Sequence, residues 1–353
     1  MEDTLALHGH RVPRGTLELH LAALRRRFAN AQRARPWIFW CDLAIAASLG
    51  WSAFALAGSA PAGSALSFVA LAVATLALYR AVLFIHEIAH LKRGAVPGFE
   101  PVWNLFVGLP LMVPSLMYVG SHRDHHDVSL YGTALDPEYE PVSSWSPLRI
   151  VASFLVMPLL PPLLALRWGV IGPVSRLFPR LRPFVVGHLS TLVINARYRR
   201  AMPVRGDARR WALEEAGGAL YFWAGLAGLG AGIVPVRWLW LWYAVGTGIL
   251  FLNHARTLAA HRYEHRGEAL DWTGQLVDSV NIPGVPLLTA LAAPVGLRYH
   301  GLHHMMPGLP YHSLGAVHRA LLAELPEDSP YRATETAGIL PTLGALLRRA
   351  HGR

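Results

Sequence analysis

A single cysteine, Cys41, is all the thiol chemistry in these 353 residues. It excludes an intramolecular disulfide and any iron–sulfur or rubredoxin-type centre built on the chain's own cysteines. Electrons for a redox reaction would have to come from a separate protein. Charge is scarce too, with Asp, Glu, Lys and Arg making up only 15% of the residues. Acid is the scarcer sign, 22 Asp and Glu against 32 Lys and Arg, for a net charge of +10. Residues 1–36 lack an apolar core and a small-residue cleavage site, so they do not read as a secretory signal. No repeat and no low-complexity segment stands out. What fills the space is apolar: 53% hydrophobic residues, 12 tryptophans and a mean hydropathy of +0.32. The basic residues flank apolar runs, where they act as topology signals and contacts for anionic lipid; this argues against a nucleic-acid partner.

The hydropathy pattern predicts one all-α integral membrane domain over 1–353, with four spans in two hairpins. In the leader, 1–36, Leu17, Leu21, Leu24 and Phe28 recur at helical spacing beside Arg25, Arg26 and Arg27, which suits a basic amphipathic helix on the membrane surface. The core, 37–330, opens with a span from Trp37 to Ala60. A turn at Gly58–Gly63 leads to a second from Ser64 to about Ile85. Arg33 and Arg35 precede this pair and Lys92 and Arg93 follow it, so both ends belong on the cytoplasmic side. Pro101 to Val119 carries Pro110 and Pro114 and reads as re-entrant or tightly packed. Leu148–Leu166, broken by Pro158, Pro161 and Pro162, and Pro183–Ile194 read as embedded or interfacial. Gly217–Val234 and Arg237 to about Leu258 form the second expected hairpin, with Trp238, Trp240 and Trp242 as an aromatic rim. The rest, including a tail at 331–353, has no span and is expected to cap the cytoplasmic side, with both termini there. Cys41 is expected in the core.

Histidine is the residue in excess, 18 in all. His122-Arg-Asp-His125-His126 places imidazoles at i, i+3 and i+4, one face of a helix. The spacing returns at His300-Gly-Leu-His303-His304, and His86-Glu-Ile-Ala-His90 sets two rings one turn apart. Imidazole is a weak helix former and a poor core filler, yet it ligates iron, zinc and copper alike. These clusters supply eight histidines, too many for one tetrahedral ion and about right for two. His254, His261 and His265 form a further stripe at the end of the last span. The topology used only Lys and Arg, and it brings every cluster to one membrane face. His188 and His318 read as packed or surface residues, and His8, His10, His20 and His351 as solvated. His312, close behind the third cluster, is a candidate to support a ligand.

Two other chemistries share parts of this pattern. His86-Glu87-Ile-Ala-His90 alone is an H-E-x-x-H zinc-protease motif, with Glu87 as general base. That reading leaves both H-x-x-H-H clusters without work. A metal transporter would place ligands near mid-bilayer, whereas here the clusters sit at one end of the spans.

Together the three boxes resemble the membrane fatty acid desaturase superfamily, from about residue 80 to 330. The run His303-His-Met-Met-Pro-Gly-Leu-Pro-Tyr-His-Ser-Leu314 is similar to the family's HH-x-x-P-x-x-P-x-x-x-L pattern. The resemblance implies two non-haem iron ions, O2 as co-substrate, and desaturation of a fatty acyl chain on lipid or another acyl carrier. Hydroxylation or carotenoid or alkane oxygenation is the alternative within the superfamily. It also implies a ninth ligand after the last span, for which His261 is first choice and His265 second. An Asn that often accompanies that ligand one turn earlier is Thr257 here, with Asn253 and His254 near it. Glu87, Asp124, Asp127, Asp136, Glu138 and Asp278 are candidates to orient ligand rings; Glu87 and Asp124 rank first because they lie inside boxes. No His-Pro-Gly-Gly of a fused cytochrome b5 occurs, so the electron donor is expected to be a separate ferredoxin, rubredoxin or cytochrome b5 with its reductase. The basic face would receive it.

Overall fold

The computed structural model describes residues 4–7, 10–13, 23–264 and 270–351. Apart from a short antiparallel hairpin, β1 (Thr4–Leu7) with β2 (His10–Pro13), its regular structure is helical. Among the described residues three helices are long and apolar enough to cross a membrane: α1 (Pro36–Ser59), α2 (Ala65–His90) and α4 (Pro147–Leu177). Between the last two lies the short α3 (Ser121–His125), and after them come α5 (Arg205–Gly230) and α6 (Val236–Leu258).

α2 is the central helix, 56% buried over its apolar stretch against 28% for α1 and 17% for α4. Small residues let α1 and α2 approach closely. Ala46, Gly50, Ala53 and Ala57 face inward from α1, and Ala70, Ala74 and Ala77 from α2. A Cβ on Gly50 would stand 2.6 Å from the Leu78 side chain. Such small-residue seams are how helices pack where lipid removes the hydrophobic drive. The outer face of α1 carries exposed Trp37, Ile45 and Leu49. Cys41 is exposed as well rather than in the core, because it falls off the three-to-four-residue stripe that meets α2.

The segments expected to form the second hairpin are both helical. α5 packs chiefly on the C-terminal half of α4, and α6 on α2 and the N-terminal half of α4. Neither reaches the apolarity of a candidate span. The first half of α5 carries Arg209, Arg210, Glu214 and Glu215, and tryptophans with Asn253 and His254 dilute α6. Glu215 is buried and takes Arg167 and Arg182 at 2.9 and 2.8 Å, along with Arg176. This ties α4 and the following helix (Arg182–Leu189) to α5. Removing the carboxylate would strand a buried guanidinium, at a cost of about 3–5 kcal/mol.

The segment between the spans and the second histidine box is broken as its prolines require. It passes through a wide π-helical turn at Asn104–Gly108 before a final short turn at Ser115–Met117. The carbonyls this irregular backbone frees are taken by aromatic donors from neighbouring helices. Trp51 donates to Phe106 (2.8 Å), Trp242 to Pro110 (2.9 Å), Trp168 to Met112 (3.0 Å) and Tyr221 to Leu105 (2.7 Å).

A cap of short helices comes after α6: α7 (Trp272–Asp278), α8 (His300–Met305), α9 (Tyr311–Glu324) and α10 (Ile339–His351). Leu24 and Phe28 of the leader pack against this cap, and Arg27 pairs with Glu324 on α9. Those two apolar side chains thus face protein; Leu17 and Leu21 lie outside the described residues.

Candidate metal centre

The last turn of α2 carries His86 and His90. α3 carries the second box; it is entered at Gly120, whose φ of +100° is open to glycine at little cost. Beneath it Arg200 donates to the carbonyls of Leu116 and Val119, which fixes the approach to the box. His261 sits just past α6, bridged to Ser279, and α8 carries the third box.

These elements gather nine histidines into two sets. His86, His90, His122, His126 and His303 form one, and His125, His261, His300 and His304 the other; within each, one ring nitrogen per residue lies within 4.8 Å of the rest. The boxes do not each supply one set. In both H-x-x-H-H boxes the i,i+4 pair goes to one set and the i+3 histidine to the other. His122 and His126 join the five while His125 joins the four, and His300 and His304 join the four while His303 joins the five. The two sets are thereby stitched together, with the His126 and His304 rings stacked at 4.4 Å.

The donor geometry fits bound cations. His126 Nε2 lies 3.1 Å from His122 Nε2 and 3.0 Å from His303 Nε2. His300 Nε2 lies 2.9 Å from His261 Nε2 and 3.1 Å from His304 Nε2. Ligands at right angles on an ion with metal–nitrogen bonds of about 2.1 Å would be about 3.0 Å apart. Protons cannot satisfy so many converging nitrogens while the rings stay neutral. Both nitrogens of His86, and His90 Nε2, are buried without a hydrogen-bond partner. Burial, reinforced by the neighbouring imidazoles, holds His122, His126, His300, His303 and His304 well below the ordinary imidazole range. That keeps them in the neutral, ligating form.

The outer nitrogens fix three of the rings. His122 Nδ1–H donates to Glu138 at 2.5 Å, and His125 Nδ1–H to Asp136 at 2.9 Å. Burial lowers His125 too, but the Asp136 carboxylate outweighs it and holds the ring above its usual range. His261 Nδ1 lies 2.8 Å from the Tyr131 hydroxyl, which itself donates to Asp278 at 2.7 Å. Asp136, Glu138 and Asp278 therefore orient ligand rings.

The two carboxylates inside the boxes point elsewhere. Asp124 accepts from the Tyr198 hydroxyl at 2.5 Å, and Glu87 from the Tyr311 amide at 3.1 Å, with His86 Nδ1 4.0 Å away. Asp127 caps Ser129 at the surface. Of the remaining candidates, His254 bonds Ser153 at 2.7 Å, Thr257 donates back to the Asn253 carbonyl at 2.8 Å, and His312 accepts from the Arg35 amide at 3.2 Å. His318 is buried against Tyr331, and His188 is exposed on Phe184. His265 lies outside the described residues.

A cavity of about 160 Å³ meets the five-histidine set. Its apolar walls come from α2, α4 and α6, including Val82, Ile85, Leu160, Leu164 and Ile249. Its polar end is lined by His86, Tyr118, Glu138, Asn253, Arg256 and Thr257. Arg256 was not foreseen; the signal was a cation in a short polar stretch, Asn253 to Thr257, at the end of a largely apolar helix.

Such a constellation, a histidine-held pair of metal positions beneath apolar helices, defines a class of membrane metalloenzymes. The sequence profile of the fatty acid desaturase family matches residues 62–335, most of the chain. The protein is a membrane enzyme of that desaturase and hydroxylase family. It is similar to a ceramide hydroxylase of Caulobacter vibrioides (strain NA1000 / CB15N), 43% identical over 317 residues that cover 88% of each chain.

Proposed function

We propose that this enzyme hydroxylates a long-chain lipid of the ceramide class at two non-haem iron ions. The observation that carries this is the 43% identity, over 88% of both chains, to a protein named for that reaction. It favours hydroxylation over the desaturation expected from the boxes. The two reactions share their first event, removal of a hydrogen from an unactivated carbon, and part at the second. Hydroxylation breaks one C–H bond and forms one C–O bond: R–H, O2, two electrons and two protons give R–OH and water. Desaturation removes two hydrogens and returns both oxygen atoms as water.

The nine histidines would hold the iron, which when bound supplies oxygen activation. Everything else falls to the protein. The cavity holds one stretch of a flexible chain beside the five-histidine set, and positioning of that kind replaces a costly encounter with a prepaid one. Glu138 and Asp136 keep the Nδ1 protons of His122 and His125, so each Nε2 lone pair points inward. Burial of the rings keeps bulk water from the reacting carbon. Electrons come from a separate small redox protein of the ferredoxin, rubredoxin or cytochrome b5 type with its reductase. The site and both termini face the cytoplasm in this reading, supported by Arg33, Arg35, Lys92, Arg93 and the basic run at 197–210.

Expression in a ceramide-containing host, with lipid mass spectrometry of the extract, tests the proposal. The expected product is a ceramide that has gained one oxygen. A product that has lost two hydrogens and gained no oxygen would return the reading to desaturation, and unchanged lipids would remove both.

A further inference from the structure

The polar end of the cavity holds a cation that the metal chemistry does not use. Arg256 is 7% exposed, on the last turn of α6. Its Nη2 donates to Asn253 Oδ1 at 3.0 Å and to Thr257 Oγ1 at 2.8 Å, while its Nε–H is buried with no acceptor. Among the described residues no carboxylate lies within ion-pairing distance of it. Glu138, on the same cavity, already accepts from His122 and from the Tyr118 hydroxyl at 3.0 Å. The Tyr79 hydroxyl donates to the Ala292 carbonyl at 2.9 Å and turns its oxygen toward the guanidinium as a neutral acceptor, which leaves the Nε–H unmet. The other deeply buried arginine, Arg167, also has an unpartnered nitrogen, Nη1, but its charge is met by Glu215 at 2.9 Å, whereas that of Arg256 is not. An unmet donor on a buried guanidinium is costly, and such a cost persists where something outside the chain meets it.

We propose that Arg256 anchors a neutral oxygen of the substrate's polar group, an amide carbonyl or a hydroxyl, inside the cavity. The inference rests on the hydroxylase reading and adds the position of attack. The buried Nε–H has no acceptor in the chain, and the oxygens around the guanidinium, from Asn253, Thr257 and Tyr79, are all neutral, which suits one further neutral acceptor; a carboxylate is best held bidentately. Arg256 and His86 line the same cavity, so an oxygen held at Arg256 brings the carbons next to it up to the five-histidine set. The remainder of the chain then extends along the apolar walls toward α4. The carbon hydroxylated is therefore among the first few from the polar group and not in mid-chain.

Tandem mass spectrometry of the wild-type product reads the position. Binding of a short-chain ceramide to the iron-loaded protein under nitrogen reads the anchor without turnover. The expected results are a hydroxyl within the first few carbons, and a ceramide affinity about 10- to 100-fold weaker in Arg256→Gln. Arg256→Gln should keep its iron and scatter the hydroxyl along the chain, and Arg256→Lys should recover much of the affinity. A mid-chain hydroxyl, or unchanged affinity in Arg256→Gln, overturns the anchor and leaves the hydroxylase reading standing. Loss of iron from Arg256→Gln makes the residue structural and overturns it equally. A wild type that yields no hydroxylated lipid overturns the hydroxylase reading itself, and the anchor with it.

Discussion

The five-histidine and four-histidine sets share their ligand chemistry but are held differently. In the four-histidine set, two rings are pinned from behind, His125 by Asp136 and His261 through Tyr131 to Asp278. In the five-histidine set His122 has such a carboxylate, Glu138, while His86 and His303 have Nδ1 atoms with no hydrogen-bond partner; in the four-histidine set His300 is the ring left so. The cavity touches the five-histidine set, through His86 and Glu138, and none of the four. The difference teaches a division of labour. Two of four rings are held from behind in one set against one of five in the other, and the cavity proposed for the substrate opens on the second.

The strongest way to break the comparison is to remove one ligand from each set. His125→Ala and His303→Ala should each take turnover below detection, because the crossed boxes make the two positions depend on one another. His188→Ala, exposed and remote from the rings, should retain full activity in the same assay. Next, Asp136→Asn should weaken metal binding at the four-histidine position about 10- to 100-fold. Metal analysis after mild chelation would then find about one ion retained where wild type retains two. Glu138→Gln should act on the other position; its effect should be smaller, about tenfold, and should include a raised KM, because Glu138 also lines the cavity. Tyr131→Phe should be mildest. It removes one neutral hydroxyl bridge while Asp278 remains 3.3 Å from His261 Nδ1, so the loss should be no more than about tenfold in metal affinity. If Tyr131→Phe proved as damaging as Asp136→Asn, the four-histidine set would owe its rigidity to the Tyr131 bridge and not to charge.

What the sequence shows about this centre depends on how local the signal is. The three boxes are written in contiguous residues, since i, i+3 and i+4 spacing shares a helix face. His261 was reached through family resemblance, and the structure places it in the four-histidine set. The alternation of ligands between sets could not be seen, because it depends on how α2, α3 and α8 approach one another and not on any one helix. The supporting carboxylates Asp136, Glu138 and Asp278 were among the candidates, but their rank over Glu87 and Asp124 could not be seen for a similar reason. Asp136 and Glu138 come from a loop that folds back over α3, and Asp278 from the end of α7, so lying inside a box was a poor guide.

In the membrane region, α1 and α2 were legible from length and apolarity. The run at Pro147–Leu177 was not read as a span because of its prolines. Yet Pro158 lies in a short 3₁₀ stretch and Pro161 falls in the first turn of the next helical piece, where a missing N–H costs little. α5 differs in the opposite direction: it was read as a span over 217–234, and as a whole helix it is less apolar than the candidate spans. Its apolar half resembles a span, but its charged half is consumed by the Glu215 cluster and the Glu214 contacts with Arg210 and Leu116.

The most direct test of the central claim is the metal content of the protein purified from cells grown with iron. Nine histidines divided between two positions predict about two iron per chain in wild type, falling toward one in Asp136→Asn. A single zinc per chain with no iron, bound through His86 and His90 and unaffected by Asp136→Asn, would contradict it.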